Sequence, residues 1–468
     1  MIALIQKEIV KILSKEENNL SITFVGSSNH KNIEKISDID IIIICKKLTK
    51  KYYEKQINKL KNLDEKFYIE KFENLYINDS FGPLKFNKNR NLVLHVMIYD
   101  MDSHKKHVIE SPFTCLDWSL YESSYGPNLK DLFPIFNLQI DDFKNSRRSF
   151  NDYKFEFKNR KLSYRKYHFI SEDKYKEIKK YKSINNVEFI EFMNHIIKFS
   201  IINLCKLLSN ENKFFSNSEI YTLLPEFKKF ETLTKKLDRT VNNLEKLNLK
   251  EVEKEFKNFL NFYNYYFNEL EKNYKLNHFY LVRHSKTKLN DGTFLGRRNP
   301  DINRKLSSKQ ISNLSNIKVK KYFTSTSKRA ENTIKQITNT YEKNSNLQEI
   351  DYGEAEGLNL NELKSKYPYV VKGWKEGKDI RFPKGENTAD VEKRFSTFLF
   401  ENKNSIPFMA FTHQVVIRVA LCNSINFDIA NSFKFSVPYL KPIKFYIFNE
   451  NLKLDIPRKE LYRMLENE

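Results

Sequence analysis

Cysteine is scarce. Cys45, Cys115, Cys205 and Cys422 are spread over 468 residues with no Cys-x-x-Cys pair. That spacing suggests neither a zinc site nor a disulfide framework and leaves reduced, mostly buried thiols as the expectation. Long apolar runs are also missing, so no stretch reads as a bilayer span. The start, Met1 to Leu13, alternates helically, carries Glu8, and lacks a signal peptide's basic start and cleavage site. A cytoplasmic location without membrane contact is expected. Acidic residues are the third shortage: 59 Asp and Glu face 81 Lys and Arg, a net charge of +22. Such an excess permits a polyanionic partner. The lysines are scattered through every segment and form no single stripe, so the expected partners are small phosphorylated anions, not nucleic acid.

What is present points to several domains. At 468 residues the chain exceeds one ordinary core, and its 40% hydrophobic and 30% charged content is that of a globular protein. After the first helix, Leu20-Ser21-Ile22-Thr23-Phe24-Val25-Gly26-Ser27-Ser28 reads as a strand entering a Gly-Ser turn. Asp38 stands eleven residues after Ser27, followed by Ile39, Asp40 and the apolar run Ile41 to Ile44. Residues two apart on a strand face the same way, so Asp38 and Asp40 project together. Two such carboxylates suit a hard divalent cation, and Mg²⁺ in turn carries a triphosphate. The turn offers backbone N–H groups and a hydroxyl to phosphate oxygens.

Gly26, Ser27, Ser37, Asp38 and Asp40 resemble the signature of the minimal nucleotidyltransferases of the DNA polymerase β superfamily: Gly-Ser, a spacer, then Ser-Asp-x-Asp. The resemblance implies a mixed-sheet α/β domain over residues 1–144. It would bind a nucleoside triphosphate through Gly26 and Ser27 and Mg²⁺ through Asp38 and Asp40. The family also places a third carboxylate on a later strand. Here the strand from Asn91 to Asp100 offers His95 at its centre, as a substitute ligand or base or as a core histidine. The domain accordingly either transfers a nucleotide or binds it as a regulator. Residues 145–275 read as a helical connector, with apolar positions at 3.6-type spacing from Phe256 to Leu270, and no residue there is nominated for chemistry.

Five blocks organise the remainder. Phe279-Tyr280-Leu281-Val282-Arg283-His284 is an apolar strand delivering an arginine and a histidine at its end. Thr287, Asn290 and Gly296-Arg297 follow, then a strand-to-helix passage through Ser325-Thr326-Ser327-Lys328-Arg329. Leu347-Gln348-Glu349 opens an acid-rich loop, Pro383-Lys384-Gly385-Glu386 precedes a helix, and Phe408 to Thr412 is a strand ending in His413. In this order the blocks resemble the histidine phosphatase, or phosphoglycerate mutase-like, superfamily. The resemblance implies a C-terminal α/β sandwich over residues 276–468 that needs no cofactor. His284 is then the phosphoryl-accepting nucleophile, with Arg283, Arg329 and His413 completing the pocket. Glu349 is the acid for the leaving oxygen, and Thr287, Asn290 and Arg297 are supporting phosphate contacts. Ser285 stands where the family usually has glycine, so the backbone must accept a β-carbon there. Gly353 to Gly357 looks more like the phosphatase branch than the glycolytic mutases, although a mutase shares the phosphohistidine step. The whole chain is thus expected to be an α/β multidomain enzyme, a phosphatase acting on a small phosphorylated metabolite with nucleotidyl transfer at its N-terminal domain.

Overall fold

Alternation of isoleucine with aspartate and with more isoleucine sets the first sheet. The computed structural model describes residues 2–26, 38–82, 91–209, 211–240, 248–274, 277–289, 292–448 and 451–466. Ser27, Ser37 and Asn290 lie outside them. The chain forms two compact units, one of Met1–Ile135, Asn145–Lys206 and Glu211–Leu260, the other of Phe136–Lys144, Leu207–Asn210 and Asn261–Glu468.

In the first unit the strands are β1 (Asn19–Val25), β2 (Asp38–Cys45), β3 (Asn74–Asn78), β4 (Asn91–Asp100) and β5 (Ser123–Tyr125). They form one mixed sheet in the order β3-β4-β2-β1-β5. Ile39, Ile41 and Ile43 share a core with Leu92, Leu94, Val96 and Ile98, covered by Ile2, Ile5, Ile9 and Leu13 of the helix Ile2–Leu13. That stripe recurs at helical spacing, so one face of the helix is buried. The pleat then puts Asp38, Asp40, Ile42 and Ile44 on the opposite face of β2.

The helical reading of the middle holds for Ile140–Asn159, Asn186–Ser209 and Leu249–Tyr274. It misses an antiparallel ribbon of β6 (Lys161–Ser171) and β7 (Lys174–Ser183). The ribbon's sequence, Lys-Tyr-Lys-Glu-Ile-Lys-Lys-Tyr-Lys in β7, has no apolar run to announce a strand. Its pairing is fixed instead by Tyr167, Phe169 and Tyr175, which pack on the core of the first sheet.

The second unit carries β8 (His278–Arg283), β9 (Lys321–Ser325), β10 (Glu342–Asn344), β11 (Phe408–Thr412), β12 (Pro442–Phe448) and β13 (Asn451–Leu454). Their order is β10-β9-β11-β8-β12-β13, with the first four parallel and β12 and β13 antiparallel. Phe279 stacks on Phe408 and Phe445 at ring-centroid distances of 5.0 and 5.4 Å. Each such ring pair adds ~1 kcal/mol beyond the burial itself. Because β9, β11 and β8 run parallel, their carboxyl ends reach one edge, where open α/β sheets place their ligands. All four cysteines are free and buried. Among the described residues no helix is long and apolar enough to cross a membrane.

Candidate active site

β8 ends on Arg283 and delivers His284 to a cavity of about 440 Å³. The His284 backbone N–H donates to the Thr412 carbonyl at 3.0 Å, tying the ends of β8 and β11 together. Its side-chain Nδ1–H donates to the Ser285 carbonyl at 2.6 Å, which leaves the lone pair on Nε2. Arg329 Nε–H donates to that lone pair at 3.1 Å. Burial first, and then the Arg329 charge, holds the His284 pKa well below the ordinary imidazole value. The ring is therefore neutral at neutral pH, with the Nε2 lone pair facing a fixed cation.

The cations around it are held by backbone. Arg329 lies in the first turn of the helix Lys328–Ile334, capped by Ser327, and is 1% exposed. Its η nitrogens donate to the Arg298 and Gly296 carbonyls at 2.6 and 2.7 Å. Gly296 has φ +50°, and a β-carbon there would stand 2.1 Å from Glu356 Oε1, so the loop closes on Arg329 only with glycine. Arg283 lies over the Tyr439 ring at 3.7 Å and donates to its hydroxyl and to the Val437 carbonyl at 2.8 and 2.7 Å. The Arg283 Nε–H is buried without a partner, the kind of orphan donor a phosphate oxygen satisfies. His413 packs edge-on to His284, ring centroids 5.0 Å apart, and its Nε2 meets the Ser325 and Ser327 hydroxyls at 2.8 and 3.2 Å. Glu349 accepts backbone N–H bonds from Ile350, Gln414 and Val415 at 3.1, 3.1 and 3.2 Å, so the start of the helix Gln414–Ile425 fixes its carboxylate.

The first unit presents a different array. Asp40 stands opposite Val25 of β1 and His95 of β4 in the strand register. His95 Nδ1 meets Asp40 Oδ1 at 2.8 Å, and His95 Nε2 meets the Ser80 carbonyl at 2.6 Å. Both ring nitrogens of His95 are thus engaged by oxygen atoms. Gly26 has φ +76°, and a β-carbon there would lie 2.4 Å from Asp40 Oδ2. The glycine lets the end of β1 close on the carboxylate. Among the described residues no group of three or more His, Cys, Asp or Glu is placed to hold a metal ion. Asp38 and Asp40 project from the same face of β2, and a cation that takes only one or two carboxylates, such as Mg²⁺, would need further ligands from phosphate or water. They do not make a two-metal site.

Two family profiles match the chain: the histidine phosphatase superfamily (branch 1) over residues 279–454 and the nucleotidyltransferase domain over residues 6–92. The chain joins these two kinds of domain. Rat 6-phosphofructo-2-kinase/fructose-2,6-bisphosphatase 4 is 30% identical over 149 residues, which are 30% of this chain and 31% of the rat protein. The bullfrog (Aquarana catesbeiana) 6-phosphofructo-2-kinase/fructose-2,6-bisphosphatase is 29% identical over 150 residues, 30% of this chain and 31% of its own. This chain thus spans under a third of those relatives. Among solved structures, a mycobacterial glucosyl-3-phosphoglycerate phosphatase superposes with a TM-score of 0.34 at 17% identity, over 38% of this chain and 98% of its own. Bacillus stearothermophilus YhfR gives 0.33 at 19%, over 38% and 95%.

In the histidine phosphatase domain, Arg283, His284, Arg329 and Glu349 line one cavity, and His413 supports it from behind His284 without lining it. Arg297 is turned elsewhere: its guanidinium pairs with Asp351 at 3.4 Å and Glu386 at 3.1 Å, and it does not line the cavity. Thr287 is buried in a bridge to Ile302 and does not line it either. Ser285 keeps a negative φ, so its β-carbon is accepted without strain, and its N–H donates to Thr333 Oγ1 at 3.0 Å. Lys286, Arg418 and Tyr439 line the cavity without having been anticipated. Arg418 follows Gln414 by one helical turn, a spacing that could have exposed it. Tyr439 comes from a distant loop and left no local signal.

Proposed function

We propose that the histidine phosphatase domain hydrolyses a small phosphomonoester through a phosphohistidine on His284. The observation that carries this reading is the His284 tautomer: Nδ1–H is bound to a carbonyl, and Nε2 keeps its lone pair beside Arg329. Nε2 attacks phosphorus, an N–P bond forms and the ester P–O bond breaks. The departing oxygen takes its proton from the Glu349 carboxylic acid, which becomes a carboxylate. Water then attacks phosphorus, returns a proton to Glu349 and releases inorganic phosphate and free His284. Arg283 and Arg329 stabilise the equatorial oxygens in both steps, as fixed cations do in phosphoryl transfer.

For the nucleotidyltransferase domain the reading is binding of a nucleoside triphosphate, with Mg²⁺-dependent nucleotidyl transfer as the finer claim. Asp38 and Asp40 would hold Mg²⁺, which when bound neutralises phosphate charge. Gly26 brings the backbone up to that carboxylate, and His95 orients Asp40. The histidine in place of a third acid favours the regulator as the second reading.

One experiment addresses both domains: phosphate and pyrophosphate release from phosphate esters and nucleoside triphosphates with Mg²⁺, in wild type, His284→Ala and Asp40→Ala. His284→Ala is expected to lose phosphate release by at least about a thousandfold. Ester hydrolysis at the wild-type rate in His284→Ala would sink the phosphatase reading. Phosphoryl groups recovered on an acceptor sugar instead of as inorganic phosphate would make the domain a mutase. Saturable nucleotide binding without pyrophosphate release would leave the regulator.

A further inference from the structure

Beside the phosphate cavity lies a second one of about 410 Å³, and the two share Phe294, Tyr352 and Arg418 in their walls. The second sets a cluster of five rings among aliphatic side chains such as Ile350, Val371 and Ile380. Tyr352 meets Phe382 edge-on at 4.7 Å, Phe294 meets Tyr352 at 5.0 Å, and Trp374 meets Phe382 at 5.5 Å. Phe433 stacks on Trp374 at 6.2 Å and an interplanar angle of 28°, yet is itself 36% exposed. Leu360, another wall, is 54% exposed. An aromatic cluster that only filled a core would be closed over. This one stays open and runs into the reactive pocket through shared walls, the usual form of a ligand site.

We propose that this cavity receives a planar aromatic group carried by the alcohol part of the substrate. The inference rests on the phosphatase reading of His284. A phosphoryl group seated at His284 leaves its ester oxygen directed away from the nucleophile, and whatever that oxygen carries must occupy space continuous with the cavity. Rings in edge-to-face and stacked arrangement offer both faces and edges to another ring, which gains contact beyond simple burial. A sugar bisphosphate, the substrate in the names of the rat and bullfrog relatives, would leave these rings facing polar hydroxyls. Arg418, at the junction of the cavities, is held by donating from Nε to the Phe435 carbonyl at 2.6 Å. It marks where the polar pocket ends and the apolar one begins.

The test compares kcat/KM for 2-phenylethyl, hexyl and propyl phosphate and fructose 2,6-bisphosphate. The three monoesters release alcohols of similar acidity, so their ratios read the cavity and not the strength of the bond broken. Phenylethyl phosphate is expected to exceed propyl phosphate by about tenfold or more, in line with burial of one extra ring. Trp374→Ala and, separately, the milder surface change Phe433→Ser should each reduce that ratio by at least about threefold, because each removes part of a wall. Propyl phosphate turnover in the same preparations reports whether the variant is folded. Equal rates for phenylethyl and propyl phosphate would overturn the inference while leaving the phosphatase reading intact. Preference for hexyl phosphate or for the sugar bisphosphate would overturn the aromatic assignment. Hydrolysis of none of the four would remove both readings.

Discussion

The histidine phosphatase pocket gathers cations around a neutral imidazole, whereas the nucleotidyltransferase strand pair sets a single carboxylate, Asp40, against a histidine. In the first, Arg283 and Arg329 are fixed by carbonyls and by the Tyr439 ring, and one carboxylate, Glu349, is fixed by three backbone N–H groups. In the second, Asp40 is partnered by His95 and approached by Gly26. A site of the first kind has its charges in place before substrate arrives. The second offers a carboxylate already held by its strand neighbours.

The sharpest way to break this contrast is through Arg329. It both donates to His284 Nε2 and stands where a phosphoryl oxygen would sit, so Arg329→Ala should cost ~3 kcal/mol of barrier, two to three orders of magnitude in kcat/KM. Arg329→Lys should rescue little, because the native contacts use Nε and both η nitrogens in a planar fork. Steady-state kinetics with a simple ester would decide it. A loss under tenfold would mean that the pocket does not depend on preset cations.

Much of the phosphatase pocket was legible because its residues sit at fixed offsets from strand ends. His284 and His413 each close a short apolar strand, Arg329 sits four residues past the end of β9, and parallel pairing carries all three to one edge. Arg297 misled because its neighbour Gly296, whose carbonyl holds Arg329, does the work in that loop. The guanidinium itself found Asp351 and Glu386, acids whose proximity only the tertiary fold creates. Tyr439 and the ring cluster around Trp374 were illegible for the same reason. In the first unit the pleat of β2 and the span of β4 could be read, but not that Asp40 and His95 would be exact neighbours in register. The ribbon β6–β7 escaped because lysines scattered among tyrosines, with no apolar run, look like any solvated surface.

Buried histidines sharpen the comparison from another side. In the phosphatase pocket His284 and His413 stand among arginines and hydroxyls, whereas in the first unit His104 and His107 are packing. Burial pushes His104 down to about 4, and burial with the Arg165 charge pushes His107 down to about 3. His104 Nδ1 and His107 Nε2 have no hydrogen-bond partner. Both rings are neutral when folded, whereas an unfolded chain protonates them near pH 6.5. Stability is thus complete above about pH 6.5 and drains as the pH falls toward 4, by ~3 kcal/mol from His104 alone. Trp118 packs on His107 at 4.9 Å and can report on this unit once the other tryptophan is removed by Trp374→Phe. Denaturant midpoints from its fluorescence should fall between pH 7 and pH 4.5, and His104→Leu should flatten the fall. An unchanged slope in that variant would assign the acid sensitivity elsewhere.

The smallest expected effect tests whether Gly26 belongs to a nucleotide site at all. Its φ of +76° and the 2.4 Å separation between a β-carbon and Asp40 Oδ2 mean that Gly26→Ala must move either the turn or the carboxylate. The displacement costs ~1–2 kcal/mol, which as lost affinity is about tenfold. Titration of a nucleoside triphosphate with Mg²⁺ should show that weakening, with ester hydrolysis at His284 continuing at the wild-type rate. If Gly26→Ala bound nucleotide as wild type does, the close approach to Asp40 would be a packing feature of the β1–β2 pair. If it slowed ester hydrolysis as well, the two domains would be coupled, and the carboxylate site would regulate the cationic one.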